Sequence, residues 1–141
     1  MKIYFSSSIA GGRKYLDIYK KIVNYLKKKG HEVLTEHIIF DNVFDFEHQF
    51  SPRETYERDI QFLSECNLVI AEVSNPSLGV GYEICYALER KIPTLCIYQK
   101  NISVSRMITG NTSQNFMLAE YYDEEILFQK IDEFLQLKSD E

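Results

Sequence analysis

The sequence predicts one α/β domain over residues 1–141, a Rossmann- or flavodoxin-like three-layer sandwich with a mainly parallel sheet of about five strands. Strand-like and helix-like segments alternate along the whole chain, without repeats or low-complexity linkers. Residues 68–71 (Leu-Val-Ile-Ala) form a continuous apolar run, which is typical of a central parallel strand covered on both faces. A length of 141 residues fits one domain with a substantial core.

The first half of the chain contains four predicted elements and one irregular segment. Leu16, Tyr19, Val23 and Leu26 recur at helical spacing, and Gly30 follows as a stop signal. The predicted elements are a strand over residues 2–6, a helix over 13–29, a strand over 31–36 and a helix over 53–65. Residues 40–52 show no clean period, which predicts an irregular, mobile loop of the kind that often forms a lid.

The second half continues the alternation. Its predicted elements are a strand over residues 68–71, helices over 82–90 and 104–109, strands over 94–98 and 116–121, and a closing helix over 123–137. Strands that alternate with helices imply right-handed crossovers and helices on both faces of the sheet. Ligands of such sheets bind outside the carboxyl ends of the strands, near the switch point. The glycine-bearing loops after the first and third strands both emerge there, which predicts a single pocket.

Composition narrows the class of function. A formal net charge of −5 argues against nonspecific nucleic-acid binding, because no strong positive field is present. No apolar run approaches the length of a membrane span, and the N-terminus lacks a signal-peptide pattern, so we expect no membrane partner and a cytoplasmic location. The three cysteines have no zinc-binding spacing, and an odd number suits a reducing compartment. We expect neither a metal nor a cofactor.

The segment from Ala71 to Glu83 carries the strongest chemical signal. A buried-looking strand runs into a Ser/Pro/Gly turn, and a carboxylate follows at the start of a predicted helix. Backbone N–H groups at a helix N-terminus can hold a phosphate, and a carboxylate beside them can attack or deprotonate what the phosphate carries. Glu83 also fits a first-turn glutamate that complements the helix dipole. On the residues alone, both interpretations stay open.

The first loop gives a weaker signal of the same kind. Three serines precede Gly11 and Gly12, which suits a phosphate cradle but equally suits an ordinary helix cap. Asp59 lies one turn before Leu63, at the margin of a buried helix face, where a carboxylate invites a function although a surface aspartate is commoner. Tyr4 fits either the core or the pocket, and His37 either contacts a ligand or ends the second strand.

Taken together, these residues resemble the 2′-deoxynucleoside 5′-monophosphate N-glycosidases (N-hydrolases), which are relatives of the nucleoside 2-deoxyribosyltransferases. The resemblance covers almost the whole chain, and its most specific part is the block that ends at Glu83. Its anchors are Tyr4-Phe5, Ser8-Ile9, Gly11-Gly12-Arg13, residues 33–37, Asp59, residues 71–73 and 76–83, Ser105, Met107-Ile108 and Gly110.

The resemblance implies a role for each matched position. Glu83 would be the nucleophile that attacks the anomeric carbon, and Asp59 with Tyr4 would position it or manage the proton for the leaving base. Other matched or neighbouring positions would contact the substrate. Ser8, Ser77 and Gly79 would hold the 5′-phosphate, Ile9 would press against the base, and Gly11 and His37 are further binding candidates. Ser105 would reach the phosphate of the neighbouring subunit, which implies a homodimer.

One departure concerns the first loop. The family pattern is Gly-Ser-Ile-Arg-Gly-Gly, whereas this chain has Ser7-Ser8-Ile9-Ala10-Gly11-Gly12. Losing a charge-assisted phosphate contact costs about 1.5–3 kcal/mol unless another cation replaces it. Two alternatives to monophosphate hydrolysis therefore stay open. They are deoxyribosyl transfer between bases of unphosphorylated nucleosides, and a nucleotide-binding module without turnover.

Overall fold

The computed structural model describes residues 1–139, which form a five-stranded sheet with helices on both faces. The strands are β1 (Lys2–Ser6), β2 (Glu32–Val33), β3 (Leu68–Glu72), β4 (Thr94–Gln99) and β5 (Phe116–Tyr121). The helices are α1 (Leu16–Lys28), α2 (Val43–His48), α3 (Pro52–Glu65), α4 (Leu78–Glu89), α5 (Arg106–Thr109) and α6 (Glu124–Ser139), with a 3-10 helix at Glu36–Ile39. None of the helices within residues 1–139 is long and apolar enough to cross a membrane.

The strand order is β2-β1-β3-β4-β5, and every neighbouring pair is parallel. The predicted α/β fold with a parallel sheet is therefore confirmed. The order reverses between β1 and β3, whose pairing runs from Ile3 with Leu68 to Ser6 with Ala71. The loops after β1 and β3 consequently leave the same edge of the sheet side by side, at the place where ligands of such folds bind.

The alternation of β1 determines what reaches each face of the sheet. Ile3 and Phe5 pack into the core beneath α1 and α6, together with Ile70 and Leu95. Tyr4 points to the opposite face, where its neighbours include Leu63 of α3 and Ala87 of α4. Ser6, which follows Tyr4 at period two, lies on that face as well. A buried tyrosine and a buried serine therefore face α4.

The structure corrects the start of α4. The sequence predicted this helix from residue 82, but it begins at Leu78 because the Ser77 hydroxyl accepts a hydrogen bond from the backbone N–H of Val80 and caps it. Gly79 and Gly81 therefore lie in the first turn. Glu83 lies in the second turn, where complementing the helix dipole no longer explains it.

The segment between β2 and α3 is also more regular than predicted. The second strand covers only two residues, and the irregular loop predicted over 40–52 instead contains α2. An aromatic cluster orders it, because the ring of Phe46 lies 5.1 Å from that of His37, 5.7 Å from Phe40 and 5.4 Å from Phe50. Ser51 then starts α3 with a capping box to Glu54. We call residues 36–50 the α2 segment.

Candidate active site

The two glycine-bearing loops touch each other at the edge of the sheet, as predicted. The Asn75 side chain donates a hydrogen bond of 3.1 Å to the carbonyl of Gly11, whose own N–H donates to the Ser8 hydroxyl at 3.2 Å. A Cβ at Gly11 would lie 2.5 Å from Ser8 Oγ and 3.1 Å from the Pro76 carbonyl oxygen. Gly11 is therefore required by the close approach of the two loops, and Gly12 by its φ of +103°.

The N-terminus of α4 lies directly beside these loops. Ser77 satisfies one N–H group of the first turn, and the N–H groups of Leu78 and Gly79 precede any possible intrahelical acceptor. Leu78 is 97% exposed, so this helix end is open to a ligand. A Cβ at Gly79 would meet only Ser77 Oγ at 3.8 Å, so space alone does not require glycine there.

Glu83 lies on the inner side of α4 and faces β1. Its carboxylate accepts hydrogen bonds from the Ser6 hydroxyl and from the Tyr4 hydroxyl, and Tyr4 is fully buried. Burial raises the pKa of Glu83 to about 7, and the negative charge of Asp59 adds to the rise. The two hydrogen bonds and the positive charge of Arg58 lower this pKa and so limit the rise. A carboxylate with this pKa is ready both to ionise and to react near neutral pH.

Asp59 belongs to the same cluster. Its charge raises the pKa of both Glu83 and Tyr4, and burial raises its own pKa from the ordinary aspartate value. The Nε of Arg58 donates a hydrogen bond of 2.9 Å to Asp59 Oδ1, and this contact lowers the pKa of Asp59. Tyr4, Asp59 and Glu83, predicted from distant parts of the sequence, are therefore brought together. The burial of Tyr4 also raises the pKa of its phenol, so it serves Glu83 as a hydrogen-bond donor.

The α2 segment reaches the cluster through residues that the sequence analysis did not select. Glu47 accepts a 3.0 Å hydrogen bond from Arg58 Nη2, and the Arg58 guanidinium lies over the rings of Phe46 at 5.8 Å and Phe50 at 5.2 Å. His37 Nε2 lies 3.3 Å from Glu47 Oε1. Burial, with the charge of Arg58, lowers the pKa of His37 to about 4, so this imidazole is neutral at pH 7.

Three other predicted site residues do not lie together in one place. Ser8 is buried, and its hydroxyl oxygen accepts a hydrogen bond from Gly11 that leaves the hydroxyl proton for another acceptor, while Ile9 packs half-buried against the core beneath α1. Ser105 does not lie in the Glu83 cluster. It caps α5 and lines a largely apolar groove of about 690 Å³ between α4 and residues 103–113, on a different side of α4 from Glu83. Met107, beside it, is 82% exposed.

The replacement of the family arginine by Ala10 is not compensated by Arg13. The Nη2 of Arg13 donates to the carbonyl oxygens of Ile38 at 2.6 Å and Phe40 at 3.3 Å, so this arginine fastens the α2 segment to the first loop. Arg106 is exposed, next to Ser105 at the start of α5. Within one chain, the loops therefore offer a phosphate mainly hydroxyl and backbone N–H donors.

The chain matches a family model and several named proteins. The model described as nucleoside 2-deoxyribosyltransferase matches residues 3–120. A protein of Thermofilum pendens is 43% identical over 137 residues, 96% of this chain and 95% of that protein, and carries the provisional name 2′-deoxynucleoside 5′-phosphate N-hydrolase 1. A protein of Methanococcoides burtonii with the same provisional name is 45% identical over 112 residues, 79% of this chain and 92% of its own.

A further named relative and a solved structure also match the chain. A protein of Danio rerio named 5-hydroxymethyl-dUMP N-hydrolase is 34% identical over 139 residues, 96% of both chains. Among solved structures, the CMP N-glycosidase BcmB of Clostridium botulinum superposes with a TM-score of 0.68 at 22% identity, covering 94% of this chain and 99% of that one. At this identity the structural match shows a shared fold.

Proposed function

The chain belongs to the nucleoside 2-deoxyribosyltransferase family, and from that premise we propose that it hydrolyses 2′-deoxynucleoside 5′-monophosphates to a free base and 2-deoxyribose 5-phosphate. The names of its relatives support an enzyme that cleaves the N-glycosidic bond of nucleotides. The observation that carries the proposal is Glu83, a partly buried carboxylate that receives hydrogen bonds from Ser6 and Tyr4 beside Asp59, next to an open helix N-terminus.

Glu83 acts as the nucleophile. One of its oxygens forms a bond to C1′ of the deoxyribose while the bond from C1′ to the base nitrogen breaks, through a transition state with oxocarbenium character. Ser6 and Tyr4 hold the carboxylate by hydrogen bonds, so its orientation is set before the substrate arrives. The absence of a 2′-hydroxyl from the sugar makes this bond easier to break.

Asp59 transfers the proton between the attacking water and the departing base. In the first step its carboxyl group protonates the departing base, and in the second it takes a proton from the water that attacks C1′ and releases Glu83. The base leaves with one hydrogen, the sugar gains a hydroxyl, and both carboxyl groups return to their starting forms. The burial that raises the pKa of Asp59 favours the protonated form that this step needs.

The 5′-phosphate binds where the two loops meet. The N–H groups of Leu78 and Gly79 and the Ser77 and Ser8 hydroxyls are the donors of one chain, and Gly11 allows the close approach of the loops. In this proposal Ile9 contacts the base, and His37 is a further substrate contact. Ser105 of the partner subunit completes the site in a homodimer, whose interface includes the apolar groove along α4 and the exposed Leu78 and Met107.

The reaction is tested by chromatography of the products. Wild-type protein is incubated with each deoxynucleoside 5′-monophosphate and with each unphosphorylated deoxynucleoside. We expect base and 2-deoxyribose 5-phosphate from the monophosphates, and no base release by Glu83→Ala. The matched control Glu125→Gln changes an exposed glutamate of α6 and should keep full activity. Full activity of a folded Glu83→Ala variant would exclude the proposed nucleophile.

Deoxyribosyl transfer is the second candidate, and Ala10 is the observation that favours it. Without the family arginine, the phosphate contacts within one chain lack a charged donor from the first loop. The same chromatography separates the two functions when a second free base is added. A transferase makes a new nucleoside, whereas a hydrolase makes free sugar phosphate. Tight nucleotide binding without base release over hours would instead identify a binding module.

The shared site is tested by complementation. Glu83→Ala and Ser105→Ala homodimers are mixed under conditions that allow subunit exchange. In the mixed dimer one site combines Glu83 of the Ser105→Ala chain with Ser105 of the Glu83→Ala chain, so activity should return. No recovery in a mixture that sedimentation shows to contain exchanged dimers would contradict a site shared through Ser105.

A further inference from the structure

We propose that Arg58 is a positioning residue that fastens the α2 segment to the catalytic cluster and sets the ionisation of the Asp59–Glu83 pair. Neither the family match nor the sequence motifs assign it a role. The kinetic part of this inference rests on the proposed function, whereas the part that concerns the α2 segment does not.

Arg58 is shared between two carboxylates that belong to different parts of the chain. Its Nε donates to Asp59 Oδ1 at 2.9 Å, and its Nη2 donates to Glu47 Oε1 at 3.0 Å. Glu47 lies on α2, whereas Asp59 follows Arg58 on α3. The guanidinium therefore joins the α2 segment directly to a residue of the site.

The surroundings of Arg58 make this contact strong. Its side chain is only 15% exposed, and Phe46 and Phe50 of the α2 segment lie against the guanidinium. Charged hydrogen bonds that are shielded from water are stronger than those on the surface. A lysine at this position would keep the charge but could not donate to both carboxylates and also stack on the rings. Arginine is thus the residue type that this position requires.

The same guanidinium controls the charge near Glu83. The groups that face the carboxyl pair are Glu47 from α2, Tyr4 and Ser6 from β1, and Arg58 from α3, while His37 is neutral. Among these groups, only Arg58 is positive. Its charge lowers the pKa of both Asp59 and Glu83, against the burial that raises them. Because two interacting carboxyl groups titrate as a pair, losing this cation favours protonation of both.

The decisive experiment compares the pH profiles of kcat/KM for four proteins. In Arg58→Met the whole profile should move to higher pH, with a several-fold loss at pH 6.5 that is recovered at alkaline pH. Arg58→Lys keeps the charge, so its profile should stay where the wild type has it. Glu47→Gln removes an anion near Asp59, so its profile should stay or move to lower pH. Arg53→Met, an exposed arginine of α3 that pairs with Glu57, is the matched control.

Hydrogen exchange tests the other half of the inference without any activity. Peptides that cover Val43–His48 should exchange faster in Arg58→Met, Arg58→Lys and Glu47→Gln than in the wild type and in Arg53→Met. Peptides from β3 should exchange equally in all of them, which shows that the variants remain folded. Faster exchange in all three variants, together with a pH profile that moves to higher pH only in Arg58→Met, is a combination that a merely structural role does not produce.

Two outcomes overturn the inference. One is an Arg58→Met profile with its midpoints at the wild-type pH, even if rates fall, and the other is unchanged exchange over α2 in all three variants. Failure of the proposed function is distinct, because the wild type itself would then release no base while the exchange measurement still reports on Arg58. If Arg58→Met does not fold, Arg58→Gln replaces it as the neutral variant for the pH profile, and Arg58→Lys and Glu47→Gln still give the exchange readout.

Discussion

Two glutamates lie at the same edge of the sheet but on opposite faces, and they differ in burial and in the groups around them. Glu72, the last residue of β3, is fully enclosed on the α1 and α6 side, where it accepts hydrogen bonds from the Ser74 hydroxyl, the Ser74 N–H at 3.3 Å and the Tyr121 hydroxyl at 3.1 Å. Glu83 is half-buried on the α3 and α4 side, with Ser6 and Tyr4 as donors and Asp59 as a negative neighbour.

The comparison shows how one residue type serves two purposes. Burial raises the pKa of both carboxyl groups, but the hydrogen bonds around Glu72 hold its pKa at about 6, whereas Asp59 helps to raise that of Glu83 to about 7. The Ser74 hydroxyl also accepts a 2.8 Å hydrogen bond from the Gln99 N–H, which ties the end of β4 to the loop before α4. Glu72 therefore braces the loop, whereas we propose that Glu83 faces the substrate.

The largest expected effect is on activity. Glu83→Gln should lower the rate of base release by about three orders of magnitude or more, because it removes the proposed nucleophile. Glu72→Gln should lower it by no more than about tenfold, since only the support of the loop changes. Initial rates of base release measure both. Similar losses in the two variants, each confirmed as folded, would break the distinction between a catalytic and a bracing glutamate.

Glu83→Gln should also change the stability of the protein, by a smaller amount and in the favourable direction. The folded-state pKa of Glu83 is about 7, above the usual value of 4.5, so folding favours its protonated form. The resulting cost to stability is absent below about pH 4.5, grows between these values and is complete above pH 7. Glu83→Gln should therefore stabilise the protein by about 1–3 kcal/mol at pH 8, and by less as the pH falls. Urea unfolding at several pH values measures this difference.

Glu72→Gln should give no such gain. Its three donors point at a carboxylate, and an amide offers one acceptor oxygen and a donor group in return, so each lost hydrogen bond costs about 1 kcal/mol. Tyr121→Phe is the matched control, because it removes one of the three donors and leaves the carboxylate in place. A gain in Glu72→Gln equal to that in Glu83→Gln would show that burial alone governs both sites.

Much of this architecture could be predicted from patterns within the sequence. The apolar run of β3, the alternation of strands and helices and the glycine-bearing loops after β1 and β3 led to the parallel sheet and to loops that touch at its edge. Two predictions about helices were wrong, because one local sequence signal masked another. The prolyl turn before α4 hid a helix start that Ser77 provides, and the aromatic packing of Phe46 ordered α2, where the sequence shows no period.

The residues that were missed share a physical cause. Ser6, Glu47 and Arg58 are ordinary polar residues in their local context, and no spacing marks them. Ser6 matters because its strand ends opposite α4, and Glu47 and Arg58 matter because the α2 segment folds back onto α3. These contacts join residues that are 77 and 11 positions apart, respectively. Only the packing of the chain brings them together.

By itself, the sequence determined most of the strands and helices and the candidates Tyr4, Asp59 and Glu83, because periodicity and turn chemistry are local properties of a chain. The tertiary structure decided the chemical state of those candidates. It enclosed Glu83 with two donors and one like charge, placed Arg58 between two carboxylates and occupied Arg13 with carbonyl oxygens. Burial and the distances between charges set a pKa, and both exist only once the chain has folded.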